Sequence, residues 1–195
     1  MVDLADPAAV LIHYLARAHE GLLAKLDGLS ERELRMPRTP TGTNLLGIVK
    51  HCTNTEWTYL GASVGRTFGG EHLLVPVESY DSDPQADWYA TAGESAAATV
   101  ALYRRVGVAT EQTLRELPLD TVGRVAHWPA ERAEATLHHL AVRVIDDTSR
   151  HAGHADILRE LHDGATGLTP AAPNLPEGYD WAAYVARLTA LAEGA

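Results

Sequence analysis

Cysteine occurs once in this 195-residue chain, at Cys52, so no internal disulfide framework can form. A lone thiol suits a reducing compartment, and a cytoplasmic location is the expectation. No signal peptide is read at the start of the sequence, and no apolar run approaches the ~20 residues of a membrane span. Lysine is confined to Lys25 and Lys50, basic runs are absent, and the formal net charge is −10. That balance argues against a nucleic-acid partner and against binding to an anionic membrane. Internal repeats are missing too, as are the P-loop, GxGxxG, GxSxG and CxxC motifs. With 46% hydrophobic and 22% charged residues, what remains has the composition of an ordinary globular chain. Its length suits one domain, residues 1–195, able to bury a core without staples.

Hydrophobic spacing predicts an all-α chain. The first helix spans 7–27, with Asp6 as N-cap, Pro7 in the first turn, and Val10, Tyr14, Ala18 and Leu22 on its inner face. Leu11, Leu15 and Leu26 broaden that face, while His13 and His19 fall on other faces or at the edge of the stripe and read as without a functional role. Residues 28–42 form a connection in which Ser30 and Glu33 make a capping box for a short helical turn. The second helix spans 43–64, capped by Thr43, with Leu45, Ile48, Cys52, Thr55 and Tyr59 down one face. Cys52 reads as a small core residue and Glu56 as a solvated or interface carboxylate. Residues 65–93 are a long irregular crossover, and such loops are often functional. Its Arg66, Phe68, His72, Tyr80, Trp88 and Tyr89 would either cover the mouth of a pocket or pack as a structural lid. The third helix spans 94–117 and stops before Pro118. A second irregular connection, 118–135, carries His127 and Trp128 as a pocket-rim signal. Beyond the fourth helix lie a Pro-rich linker, 165–180, and a short extra helix, 181–193. Trp181, Tyr184, Val185, Leu188 and Leu191 of that last helix would dock on the bundle or on a partner subunit. The whole reads as an up-down four-helix bundle, about 7–163, with long crossover loops.

The fourth helix, 136–164, is the informative one. Thr136 is its N-cap and Gly164 its stop. Steps of four and three give one stripe of Leu140, Val144, Asp147, His151, His154 and Leu158. The stripe is apolar at both ends and carries a carboxylate and two imidazoles in the middle, which is costly to bury unless something pairs them. Asp147 and His151, four apart, can reach one point, and that point suits a divalent metal. The competing readings are a packed histidine and a direct Asp147–His151 hydrogen bond. Asp146 sits five before His151, about 140° away around the helix, and can pair with Arg150 on the outer face. His138 and His139 read as structural or exposed, and His162 suits the C-terminal end of the helix dipole. On the second helix, His51 borders the inner face between Ile48 and Thr55. Bundles commonly build metal sites from facing helices. His51, Asp147 and His151 supply two imidazoles and a carboxylate, a set that zinc, nickel or iron(II) accepts. Three protein ligands leave coordination positions open, as catalytic sites do. His154 would be an outer hydrogen-bond partner, a fourth ligand or a proton carrier.

The segments TPTGTNLLGIVKHCTNTEW (39–57) and DDTSRHAGHADILREL (146–161) resemble the two signature regions of the DinB-like superfamily. These are metal-binding four-helix bundles that include mycothiol-dependent maleylpyruvate isomerases and related thiol transferases. The resemblance covers roughly residues 8–163, and HAGHADILRE is its most specific part. The family pattern takes one His from the second helix and a His or Glu four residues before a second His in the fourth. It implies His51, Asp147 and His151 as metal ligands, with Asp147 one methylene shorter than Glu, and leaves His154 outside the ligand set. It further implies a divalent metal, zinc ahead of nickel or iron, a small-molecule substrate, a homodimer, and a transferase or isomerase using a low-molecular-weight thiol such as mycothiol. Three other readings stand beside it. They are a hydrolase using metal-activated water, a non-catalytic metal- or ligand-binding dimeric bundle of stress-response type, and a purely structural bundle in which Asp147 bonds His151 or His154 directly.

Overall fold

The structure is a computed structural model that describes residue 3 and residues 5–169, 171–173 and 175–195. Helix α1 (Pro7–Ala24) begins at Asp6, whose carboxylate accepts from the Ala8 amide at 2.9 Å. Its buried face is Leu11, Leu15, Ala18 and Leu22, while Tyr14 is 54% exposed. The core-facing stripe therefore lies one position along from the predicted Val10–Tyr14 line, because the broadening leucines set its centre. Helix α2 (Glu31–Arg35) carries the predicted capping box between Ser30 and Glu33.

Helix α3 (Leu45–Leu60) is capped by Asn44, not Thr43: Asn44 Oδ1 accepts from the Gly47 amide at 2.7 Å. The Thr43 amide is instead taken up by Thr39 Oγ1 at 3.0 Å. Helix α4 (Ala96–Glu116) starts at Ser95 and ends at Leu117, before Pro118, where the residue preceding proline leaves the helical region. The connection after it is more regular than its sequence predicts. Strands β1 (Val122–Arg124) and β2 (Glu134–Thr136) pair antiparallel, each too short for an alternating pattern to be read. Helix α5 (Leu137–Asp163) is capped by Thr136 and stops at Gly164, whose φ of 77° is the left-handed conformation glycine adopts without strain.

Helices α1, α3, α4 and α5 form the bundle, with α1 on α5 and α3 against both α4 and α5. Two apolar halves fill it. One gathers Leu22, Ile48, Cys52, Tyr103, Ala155 and Leu158; the other gathers Leu11, Leu15, Leu60, Leu114, Leu140 and Val144. On each helix the two halves are separated by a polar step: His19 on α1, Glu56 on α3, Thr110 on α4, and Asp147, Thr148 and His151 on α5. A polar belt thus crosses the middle of the bundle.

Glu56 belongs to this belt and corrects its sequence assignment. It is fully buried, not solvated, with His19 Nε2 2.6 Å from Oε2 and the Thr110 hydroxyl donating to Oε1. His19, read as on another face or at the edge of the stripe, is its hydrogen-bonding partner. The physical reason is that α3 is covered on almost every side, so a one-face pattern does not describe it.

Part of that cover is the long crossover, which contains 3₁₀ turns at Glu71–Leu73 and Val77–Asp81. It is tied to α3 by Asn54 Oδ1, which accepts from the Val75 amide at 2.8 Å, and by Lys50 Nζ, which donates to Tyr89 O at 3.1 Å. Pro170 and Asn174 of the Pro-rich linker lie outside the described residues. Helix α6 (Trp181–Glu193) has no buried residue, so the predicted docking of its apolar face on the bundle is not found. No helix among the described residues is long and apolar enough to cross a membrane.

Candidate metal centre

His51 projects from the middle of α3, one turn beyond the core residue Ile48. Asp147 and His151 project from one face of α5, between buried Val144 and Ala155. One donor atom from each lies within 4.8 Å of the other two. The carboxylate stands between the rings, with His51 Nε2 3.7 Å from Oδ2 and His151 Nε2 3.7 Å from Oδ1. Both separations are beyond hydrogen-bond range. The direct Asp147–His151 hydrogen bond considered from the sequence is therefore not made.

Each imidazole is held from its far side. His51 Nδ1 is 2.8 Å from the buried Asp87 Oδ2, and His151 Nδ1 is 3.3 Å from His154 Nδ1. With Nδ1 engaged, Nε2 is the atom that each ring offers to the cluster. Trp88 stacks on His51 with ring centroids 4.0 Å apart and an interplanar angle of 16°. It meets His151 edge-on at 5.1 Å.

Asp147 Oδ2 is buried and has no hydrogen-bond partner among the described residues. A buried carboxylate oxygen without a partner is costly. A cation between the three side chains would satisfy it. Two donors bonded at about 2.1 Å to one tetrahedral zinc stand about 3.4 Å apart, close to the two separations observed. The donor set of two imidazole nitrogens and one carboxylate oxygen fits a divalent ion of the zinc, nickel or iron type.

Burial alone would raise the Asp147 carboxyl, but His151, His51 and Arg143 outweigh it and hold it below the usual aspartate value. Burial, then the charges of His151 and Arg150, hold the His154 imidazole below its ordinary value. Cys52 is fully buried, and desolvation, followed by the charges of Asp147, Glu56 and Asp87, pushes its thiol well up. It is a core residue and a poor nucleophile.

The structure thus brings together His51, Asp147 and His151 and sets His154, mostly exposed, at their edge. Asp146 is exposed, and the ion pair it could make with Arg150 is not formed among the described residues. His138 and His139 are exposed at the start of α5. His162 sits at the far end, beside Arg38 and Glu33. His127 and Trp128 bond the Tyr59 hydroxyl at 3.2 Å and 3.3 Å, and Arg143 lies over the Tyr59 and Trp128 rings. Of the six crossover residues singled out, Trp88 alone covers the cluster. Phe68 packs on Trp57, Arg66 pairs with Glu116, and Tyr89 donates to Asp83. Tyr80 is half-buried, its hydroxyl pushed up by burial and by Asp87. Asp87 went unread because it sits in an acidic, aperiodic stretch where nothing separates it from its neighbours Asp81 and Asp83.

Comparison with known proteins adds a family. The family described as Mycothiol-S-transferase matches residues 10–164. No curated protein matches. Three chains of known structure do. One is described as "Crystal structure of the conserved protein of locus from Enterococcus faecalis". It is 19% identical, with a TM-score of 0.61, over 78% of this chain and 94% of that one. At that identity the likeness is one of fold.

Proposed function

The chain belongs to the mycothiol-S-transferase family, and from that premise we propose that it is a divalent-metal-dependent transferase that uses mycothiol or a similar small thiol. His51, Asp147 and His151 would hold the ion, with zinc ahead of nickel and iron(II). The observation that carries this reading is the orphaned Asp147 Oδ2 between two imidazoles whose other nitrogens are already engaged. A divalent cation held there would supply the positive charge that favours a thiolate near neutral pH.

The chain's own residues do the rest. Asp147 contributes the one negative charge of the set and limits the net charge of the site. Trp88 shields His51 from water on one ring face. A groove of about 310 Å³, lined by Thr41, Gly42, Thr43, Gln85, Trp88 and Tyr89, shares the Trp88 wall and offers mainly neutral hydrogen-bonding groups. The body of the thiol substrate would lie there. His154 is exposed at the edge of the cluster and would take the thiol proton and pass it to solvent. The sulfur then bonds to the electrophilic carbon of the second substrate as the leaving group departs with its electron pair. The chain would act in the cytoplasm as a homodimer, with the exposed apolar residues of α6 as contact surface.

The test is conjugation of mycothiol to a bimane halide, followed by fluorescence. Acceleration that disappears with chelator and in His51→Ala is expected. A rate that survives both treatments refutes the reading.

A further inference from the structure

We propose that Asp87 is a positioning residue for the cluster: it fixes the His51 ring so that Nε2 faces Asp147 and His151, and thereby sets the affinity for a divalent cation. The inference deepens the metal-dependent reading above and rests on it. Asp87 is 5% exposed, and a carboxylate so buried needs a partner. Its partner is His51 Nδ1 at 2.8 Å. With Nδ1 donating to Asp87, the proton is on Nδ1 and the unprotonated Nε2 is left on the cluster side, 3.7 Å from Asp147 Oδ2 and 3.4 Å from the Thr55 hydroxyl. The ring is also clamped by Trp88, stacked at 4.0 Å, and by the edge of His151 at 4.9 Å between centroids. Rotating it would break the Asp87 bond and the stack together.

The loop's position is fixed in turn by α3. The Trp88 carbonyl accepts from Asn44 Nδ2 at 3.2 Å. A Cβ on Gly47 would stand 1.9 Å from that carbonyl oxygen, so the loop can approach only because residue 47 is glycine. Alanine is the better helix former. Gly47 therefore serves the loop and not the helix, and Gly47→Ala is expected to displace Trp88 and with it Asp87.

Two readouts test the proposal. Zinc affinity is measured by competition with a chromophoric chelator for wild type, Asp87→Ala, Asp87→Asn and Gly47→Ala. Asp87→Ala should weaken binding about 10–100-fold, the usual effect of losing an outer partner of a metal-bound histidine. Asp87→Asn, whose amide oxygen still accepts from Nδ1, should lose less, and Gly47→Ala should move the same way as Asp87→Ala. Zinc affinity in Asp87→Ala within about twofold of wild type overturns the proposal. The second readout is the His51 tautomer in metal-free protein, by long-range ¹H–¹⁵N NMR. Nδ1–H in wild type, lost in Asp87→Ala, is expected; Nε2–H in wild type overturns the proposal. Should wild type take no zinc at all, the metal reading fails and the tautomer alone decides the role of Asp87.

Discussion

Removing the Glu56 carboxylate should cost this bundle a large part of its stability. Glu56 is fully buried and makes two side-chain bonds, with His19 at 2.6 Å and with the Thr110 hydroxyl. Glu56→Ala strands a largely buried imidazole and leaves a void between the two apolar halves, while the Thr110 hydroxyl keeps its bonds to the Val106 and Gly107 carbonyls. Breaking a buried charged pair from one side costs about 3–5 kcal/mol. For a chain of this size each kcal/mol moves the melting temperature by about 2–4 °C, so a fall of roughly 6–20 °C follows. Glu56→Gln keeps the volume and both contacts as neutral ones. The loss is then the difference between a charge-assisted and a neutral hydrogen bond, about 1–2 kcal/mol. Replacing both partners with apolar residues, His19→Leu with Glu56→Leu, should recover most of the loss, since an apolar pair carries no desolvation penalty. The assay is thermal unfolding by circular dichroism in the presence of chelator, so that metal binding does not enter. A Glu56→Ala melting temperature within about 2 °C of wild type would refute the reasoning.

Two further outcomes are expected. Cys52 should react with a disulfide reagent at pH 8 on the order of 100-fold more slowly in the folded protein than in denaturant, because its thiol is buried and its pKa raised; equal rates would contradict this. The Asp147 carboxyl, held below its ordinary value of 3.8, contributes stability that is present above that pH and lost as pH falls through the folded value. The melting-temperature gap between metal-free wild type and Asp147→Asn should therefore narrow below about pH 4, and a gap that widens on acidification would contradict it.

What could be read from sequence follows from periodicity. Helix α5 was legible to the residue at both caps because Thr136 and Gly164 bracket a long amphipathic run. Asp147 and His151 stood out because an i,i+4 pair of polar residues interrupts an apolar stripe. The one-residue errors elsewhere have local causes, such as Asn44 outcompeting Thr43 as the α3 cap. What stayed hidden depends on contacts between segments far apart in the chain. Glu56 looks solvated until α4 is packed on α3 and His19 reaches across from α1. Asp87 looks like a loop residue, and Trp88 like one of several aromatics that could cover a pocket, until Gly47 lets the crossover lie against the helix. The β1–β2 hairpin, three residues a side, is below the length at which alternation carries a signal. The apolar face of α6 was legible, but the bundle does not cover it.

The most direct test is metal content by elemental analysis, on wild type and His151→Ala purified without a nickel column. The account predicts close to one divalent metal per chain in wild type and none in the variant. No metal in wild type, even after incubation with zinc or nickel, would mean that Asp147 does not complete the site, and the enzymatic reading would fall with it.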